Sequence, residues 1–122
     1  LNEICEIANN VGAYLLSDES YRGIYVNPSN KVSSVVELYD KGISTGSFSK
    51  PFSLTGLRLG WISAKEEIIK LCETRRDYTT ISTGLLHDAL ATLAVETVEK
   101  IDRRNNEIVQ RNYQILSEWE NN

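Results

Sequence analysis

Apolar residues recur at Leu1, Ile4, Ala8 and Val11, one face of a 3.6-residue period, and Gly12 follows where a left-handed helix cap is wanted. The spacing predicts a first helix ending near Asn10. AYLLS, residues 13 to 17, is a short apolar run without alternation, the pattern of a parallel strand covered on both faces, and it sets Asp18 at its C-terminal edge. NPSN, residues 27 to 30, is a turn, after which Ser34 and Glu37 have capping-box spacing for a short helix that Gly42 closes. A second strand over residues 43 to 48 leads toward Lys50, and LRLGWIS, residues 57 to 63, reads as a third. Ser63 with Glu66 forms another capping box, for a helix through Ile68, Leu71 and Cys72.

Past the loop DYTTISTG, residues 77 to 84, the chain is helical in character to Trp119, with a narrow apolar stripe through Leu93, Val98, Ile101, Ile108, Ile115 and Trp119. Glu96 with Lys100 and Glu99 with Arg103 are four residues apart in the favourable order, so this charge run is a solvated helix face. Strand and helix alternate, and the class is α/β.

Charged residues make up 25% of the 122 and apolar ones 41%, which suits one globular unit. A net charge of −4 gives no electrostatic reason for a nucleic-acid or anionic-membrane partner. No apolar run approaches the ~18 residues of a membrane span, and with no leader pattern at the start a cytoplasmic setting is expected. Cys5 and Cys72 are expected as buried, reduced thiols without metal-ligand neighbours. His87, the single histidine, is read as a surface or packing residue, and no metal site is expected. Without a methionine, and opening in mid-helix, the sequence is expected to be a central piece of a longer protein.

The chemistry gathers in GSFSKPFSLTGLRLGW, residues 46 to 61. Lys50 stands there among small hydroxyls, with Arg58 eight residues later between Gly56 and Gly60. Ser47, Ser49 and Arg58 offer two hydroxyl donors and one forked cation, a set that grips a phosphate monoester. Such a phosphate beside a lysine amine points to pyridoxal 5'-phosphate, an aldehyde cofactor held as a Schiff base. Its pyridine nitrogen requires a carboxylate, and Asp18 lies at a strand end, where open α/β sheets place ligands; Tyr21 can turn its hydroxyl to the same place. A Ser-x-x-Lys at 47 to 50 also has the spacing of a nucleophilic serine in penicillin-recognising hydrolases. Pro51 disfavours the helical geometry that reading needs, and no Lys-Thr-Gly follows.

Asp-Glu-x-Tyr at 18 to 21, Ser-Phe-Ser-Lys at 47 to 50 and Gly-Leu-Arg-Leu-Gly-Trp at 56 to 61 resemble the fold-type I aminotransferases of classes I and II. The resemblance implies that Lys50 carries the Schiff base and shuttles the substrate proton. It implies that Asp18 pairs with the ring nitrogen, Tyr21 with the phenolic oxygen, and Ser47, Ser49 and Arg58 with the phosphate. It further implies a mostly parallel-sheet large domain followed by a long connecting helix. Residues 1 to 100 would belong to the cofactor-binding domain, and 101 to 122 would start the helix toward a small domain outside the sequence. Amino acid and 2-oxo acid substrates, and a homodimer in which the loop with Ser82 and Thr83 approaches the neighbouring site, are implied for the full-length protein; the piece alone would be inactive. Lyase chemistry on the same cofactor, a ligand-sensing domain of a transcription regulator, and an empty scaffold are the alternatives.

Overall fold

A computed structural model describes residues 1–120. Helix α1 (Asn2–Val11) ends at Gly12, whose φ of 68° is left-handed, and the Ala13 N–H closes back onto the Ala8 carbonyl at 2.9 Å. Strand β1 (Leu15–Asp18) runs parallel to β2 (Gly42–Ser47), and β3 (Gly60–Ser63) pairs antiparallel with β2, giving a mixed sheet in the order β1-β2-β3. The short α2 (Val35–Leu38) connects β1 to β2, and α3 (Glu66–Arg76) follows β3. Two further helices, α4 (Leu85–Glu96) and α5 (Val98–Glu120), meet at Thr97, whose hydroxyl donates to the Leu93 carbonyl at 2.8 Å.

Cys5 and Ala8 of α1, Val35 of α2 and the following Tyr39 form the core, with Leu15 of β1 packed against it. Val35 is wholly buried, a contribution of roughly 1.5–3 kcal/mol. The Tyr39 hydroxyl satisfies itself on the Ala13 carbonyl at 2.7 Å. Gly42 admits no side chain here, because a Cβ would stand 2.7 Å from the Val35 carbonyl oxygen and 2.9 Å from that of Tyr39.

Several local expectations are corrected. The double coverage foreseen for β1 holds on one face only; on the other, Leu16 is 65% exposed, because no element among the described residues lies over it. Neither capping box forms: Ser34 gives its hydroxyl to Glu19 at 2.9 Å, and α3 is capped by Lys65 without a side-chain bond. Gly42 opens β2 rather than closing α2, which stops at Leu38. The third strand begins at Gly60, since Thr55–Leu57 is a 3-10 turn. The stripe along α5 does not reach a core at its far end, where Trp119 is 75% exposed. Cys5 and Cys72 are free thiols, Cys5 buried and Cys72 half-buried. Among the described residues no helix is long and apolar enough to cross a membrane, and no cluster of potential metal ligands occurs.

Candidate functional site

The C-terminal ends of β1 and β2 lie side by side because the two strands are parallel. Asp18 pairs in register with Thr45, and Ser47, two residues further along β2, shares their face. The Asp18 Oδ1 accepts the Ser20 hydroxyl at 2.5 Å and the Ser20 N–H at 3.0 Å, while the Thr45 hydroxyl stands at 3.5 Å. These bonds, the Ser20 hydroxyl first and its N–H second, hold the Asp18 carboxyl below the ordinary carboxylate range, so it is an anion at neutral pH.

Beyond Ser47 the chain forms a compact loop. The Ser49 N–H donates to the Ser47 hydroxyl oxygen at 3.0 Å, Ser53 N–H to the Lys50 carbonyl at 3.2 Å, and Leu54 N–H to the Phe48 carbonyl at 3.1 Å. Phe48, Phe52 and Trp61 brace it, with ring centroids 4.7 Å apart for the two phenylalanines and 5.3 and 6.3 Å from each to Trp61. Pro51 is buried and Lys50 is exposed. The Lys50 Nζ lies 5.5 Å from the centroid of the Tyr21 ring, within cation–π reach. No carboxylate of the described residues stands within ion-pair distance of it.

Arg58 is not on a strand. It follows the 3-10 turn at φ 50°, ψ 39°, left-handed, and its Nη1 donates to the Thr55 carbonyl at 2.9 Å. A side chain in that region costs on the order of 1 kcal/mol. The Phe48 N–H to Leu59 carbonyl bond, 3.1 Å, joins the segment to the lysine loop one residue past Arg58. Of the six residues singled out from the sequence, the Lys50 amine lies over the Tyr21 ring, Ser47 and Ser49 are bonded to each other, and Asp18 shares the face of Ser47. The hydrogen bond of Arg58 goes to its own turn.

Four contributors escaped the sequence reading. Ser20, two residues after an aspartate, has Asx-turn spacing that could have revealed it, and Thr45 could have been found from strand register. Glu19 points to the opposite face from Asp18. Its Oε1 accepts the Ser34 hydroxyl and the Val35 N–H, both at 2.9 Å, and Arg22 stands 3.8 Å from its other oxygen. Burial pushes the Glu19 carboxyl up, but the Val35 N–H, the Ser34 and Ser44 hydroxyls and Arg22 outweigh it and hold it below the ordinary range. The fourth is the pair Asn105 and Asn106, two poor helix formers in mid-helix whose bonds run to distant loops. A cleft of about 730 Å³ beside Glu19, Ser44, Gly46, Trp61 and Asp102 opens on the face of the sheet away from Asp18.

The family described as "Aminotransferase class I and II" matches residues 1–118. The chain is 42% identical to a PLP-dependent aminotransferase from Streptococcus suis 89-1591, superposing with a TM-score of 0.91 over 97% of this chain and 31% of that one. It is 35% identical to an aspartate aminotransferase of Sulfolobus acidocaldarius over 84% of this chain and 26% of that protein. A PLP-bound C-S lyase from Staphylococcus hominis superposes with a TM-score of 0.77 at 25% identity, covering 97% of this chain and 30% of that one. The chain thus spans about three tenths of the length of the proteins it matches.

Proposed function

The chain belongs to the class I and II aminotransferase family, and from that premise we propose that Lys50 anchors the cofactor in a protein that transfers an amino group between an amino acid and a 2-oxo acid. The observation that carries the reading is the exposed Lys50 amine 5.5 Å from the Tyr21 ring, on a loop that leaves the sheet beside an ionised Asp18. The family's cofactor is pyridoxal 5'-phosphate, and the donor set fits it: a lysine amine without a carboxylate partner, a carboxylate, two hydroxyls and a guanidinium. When bound, this group supplies a reactive aldehyde and a ring that withdraws electrons from the substrate α-carbon.

The chain's residues divide the remaining work. Lys50 Nζ would hold the cofactor through its amine and would carry the proton taken from the amino acid's α-carbon. The Asp18 carboxylate holds a proton on the ring nitrogen. The Tyr21 hydroxyl donates to the ring oxygen, while the Ser47 and Ser49 hydroxyls and the Arg58 guanidinium bind the phosphate. With Ser49 N–H already donating to it, the Ser47 hydroxyl oxygen keeps its own proton for an anion. The described residues form one wall of this site; alone the chain turns over slowly or not at all, and the rest of a longer, cytoplasmic, homodimeric protein completes it. The exposed Tyr78, Ile81, Leu85 and Leu86 around the loop with Ser82 and Thr83 support that homodimer.

Borohydride reduction of the cofactor-loaded full-length protein, followed by peptide mapping, tests the assignment. The label is expected on Lys50, and Lys50→Ala loses the visible absorbance; a label elsewhere refutes it. A lyase reading draws support from the C-S lyase likeness. Release of 2-oxo acid from an amino acid without any acceptor would favour it over transfer.

A further inference from the structure

Two consecutive asparagines of α5 reach both loops of the candidate site. Asn105, buried, donates its Nδ2 to the Pro51 carbonyl at 2.6 Å and accepts the Ser53 hydroxyl at 3.0 Å and Arg104 Nη1 at 3.1 Å on Oδ1. Asn106 accepts the Tyr25 N–H on Oδ1 at 2.7 Å and donates Nδ2 to the Gly23 carbonyl at 2.9 Å, sharing that donor with the Asp102 carbonyl at 2.9 Å. Neighbouring residues on a helix point about 100° apart, so one grips the chain after Lys50 and the other the chain after Tyr21. The two gripped loops also touch each other: Gly23, at φ 104°, lies so close that a Cβ there would stand 3.4 Å from the Pro51 Cβ. Pro51 and Ser53 are one and three residues past Lys50, and Gly23 and Tyr25 are two and four past Tyr21.

A helix is stiff, and beyond the Phe48 N–H to Leu59 carbonyl bond and the Arg22–Glu37 pair the two loops are held chiefly by short local bonds. We propose that Asn105 and Asn106 are positioning residues that fix the lysine loop and the tyrosine turn to α5 as one unit, so that the helix sets the separation of the Lys50 amine from Tyr21. This rests on the reading of Lys50 as the cofactor anchor. Neither asparagine touches a reacting atom; both act through the backbone of residues 23, 25 and 51 and the side chain of Ser53. A shift of α5 would reach both loops at once, since both are bonded to adjacent residues on it.

The full-length protein loaded with pyridoxal phosphate tests this with two readouts besides turnover. Amide hydrogen exchange follows the loops, and the visible circular-dichroism band reports how the lysine-linked chromophore is oriented. In Asn106→Ala the Tyr25 N–H should exchange about tenfold faster, as expected for the loss of a half-buried hydrogen bond. In Asn105→Ala the peptide around Ser53 should exchange faster, and both variants should lose band intensity. Asn106→Asp retains an acceptor for the Tyr25 N–H and should restore its protection, which a general loosening of the helix would not do. If Asn105→Ala does not fold, Ser53→Ala removes a single donor from Asn105 and decides the lysine side by the same readouts. Wild-type exchange or a wild-type band in both alanine variants overturns the proposal while leaving Lys50 as anchor. A band that survives in Lys50→Ala overturns the anchor reading and this proposal with it.

Discussion

Replacing Glu19 by alanine removes the acceptor that joins β1 to the start of α2. Besides Ser44 and Arg22, which face the open cleft, the Ser34 hydroxyl and the Val35 N–H lose their partner, both held at 2.9 Å and both on buried residues. A hydrogen bond to a charged group contributes about 1.5–3 kcal/mol, and a buried donor left unpaired costs about 1–3. The cleft beside Glu19 is open, so water reaches part of the vacated space and the two bonds do not add in full. The expected loss is therefore roughly 2–4 kcal/mol, a large share of the ~5–15 kcal/mol of a folded domain.

Urea unfolding followed by tryptophan fluorescence measures it: at a slope near ~2 kcal/mol per molar, the midpoint falls by about 1–2 M. The sign of the pH dependence follows from the depressed folded-state acidity of Glu19. Its charge contributes stability above the unfolded value of 4.5, and that contribution fades as pH falls through the lower folded value. The gap between wild type and Glu19→Ala should accordingly narrow in acid. Glu19→Gln keeps an oxygen acceptor and should lose less than half as much. A midpoint shift under about 0.3 M at neutral pH, or a gap that does not narrow in acid, would refute the reasoning.

Other outcomes follow from the same contacts. Gly46→Ala places a Cβ inside the Trp61 ring; the tryptophan must swing out, costing about 1–3 kcal/mol and shifting its emission to the red. Tyr39→Phe removes the hydroxyl bond to the Ala13 carbonyl and should cost about 1 kcal/mol in thermal unfolding, without touching cofactor binding. Burial pushes the Asp102 carboxyl up, only partly opposed by Lys31, so its ionisation works against the fold above the raised value. Asp102→Asn should raise the melting temperature at neutral pH, and the gain should vanish once pH falls below the unfolded value of 3.8.

What the sequence disclosed is what local physics decides. Gly12 could be recognised as a cap because the left-handed turn is settled by its own φ and by carbonyls three to five residues back. Asp18 could be placed because four residues end a strand wherever the register lies. Lys50 with Tyr21 emerged from a motif, and the fold brings the lysine amine to 5.5 Å from the centre of the tyrosine ring. Ser34 was misread because its acceptor, Glu19, lies 15 residues away, and a tertiary carboxylate overrode the local box. The third strand was drawn too long because Leu57 and Arg58 have strand-like composition but are committed by Thr55 to a tight turn. The asparagine pair was invisible for the same reason as Glu19: its partners lie 52 to 83 positions away.

Asp18 and Glu19 show how one dipeptide serves two ends. Successive strand side chains point to opposite faces, so the two carboxylates cannot compete for the same partners. Asp18 is restrained only by its own turn and by Thr45, which leaves it exposed on the face shared with Ser47. Glu19 is spent on Ser34 and Val35, and through them it ties the end of β1 to α2. Both are kept ionised, Asp18 chiefly by Ser20 two residues away and Glu19 chiefly by Val35 and Ser34 of another segment. The first arrangement can yield to a ligand without disturbing the fold; the second cannot. Under the role proposed for Asp18, the carboxylate free to meet a cofactor is the one whose neighbours are mostly local, while Glu19 beside it bears the load of fixing the strand end.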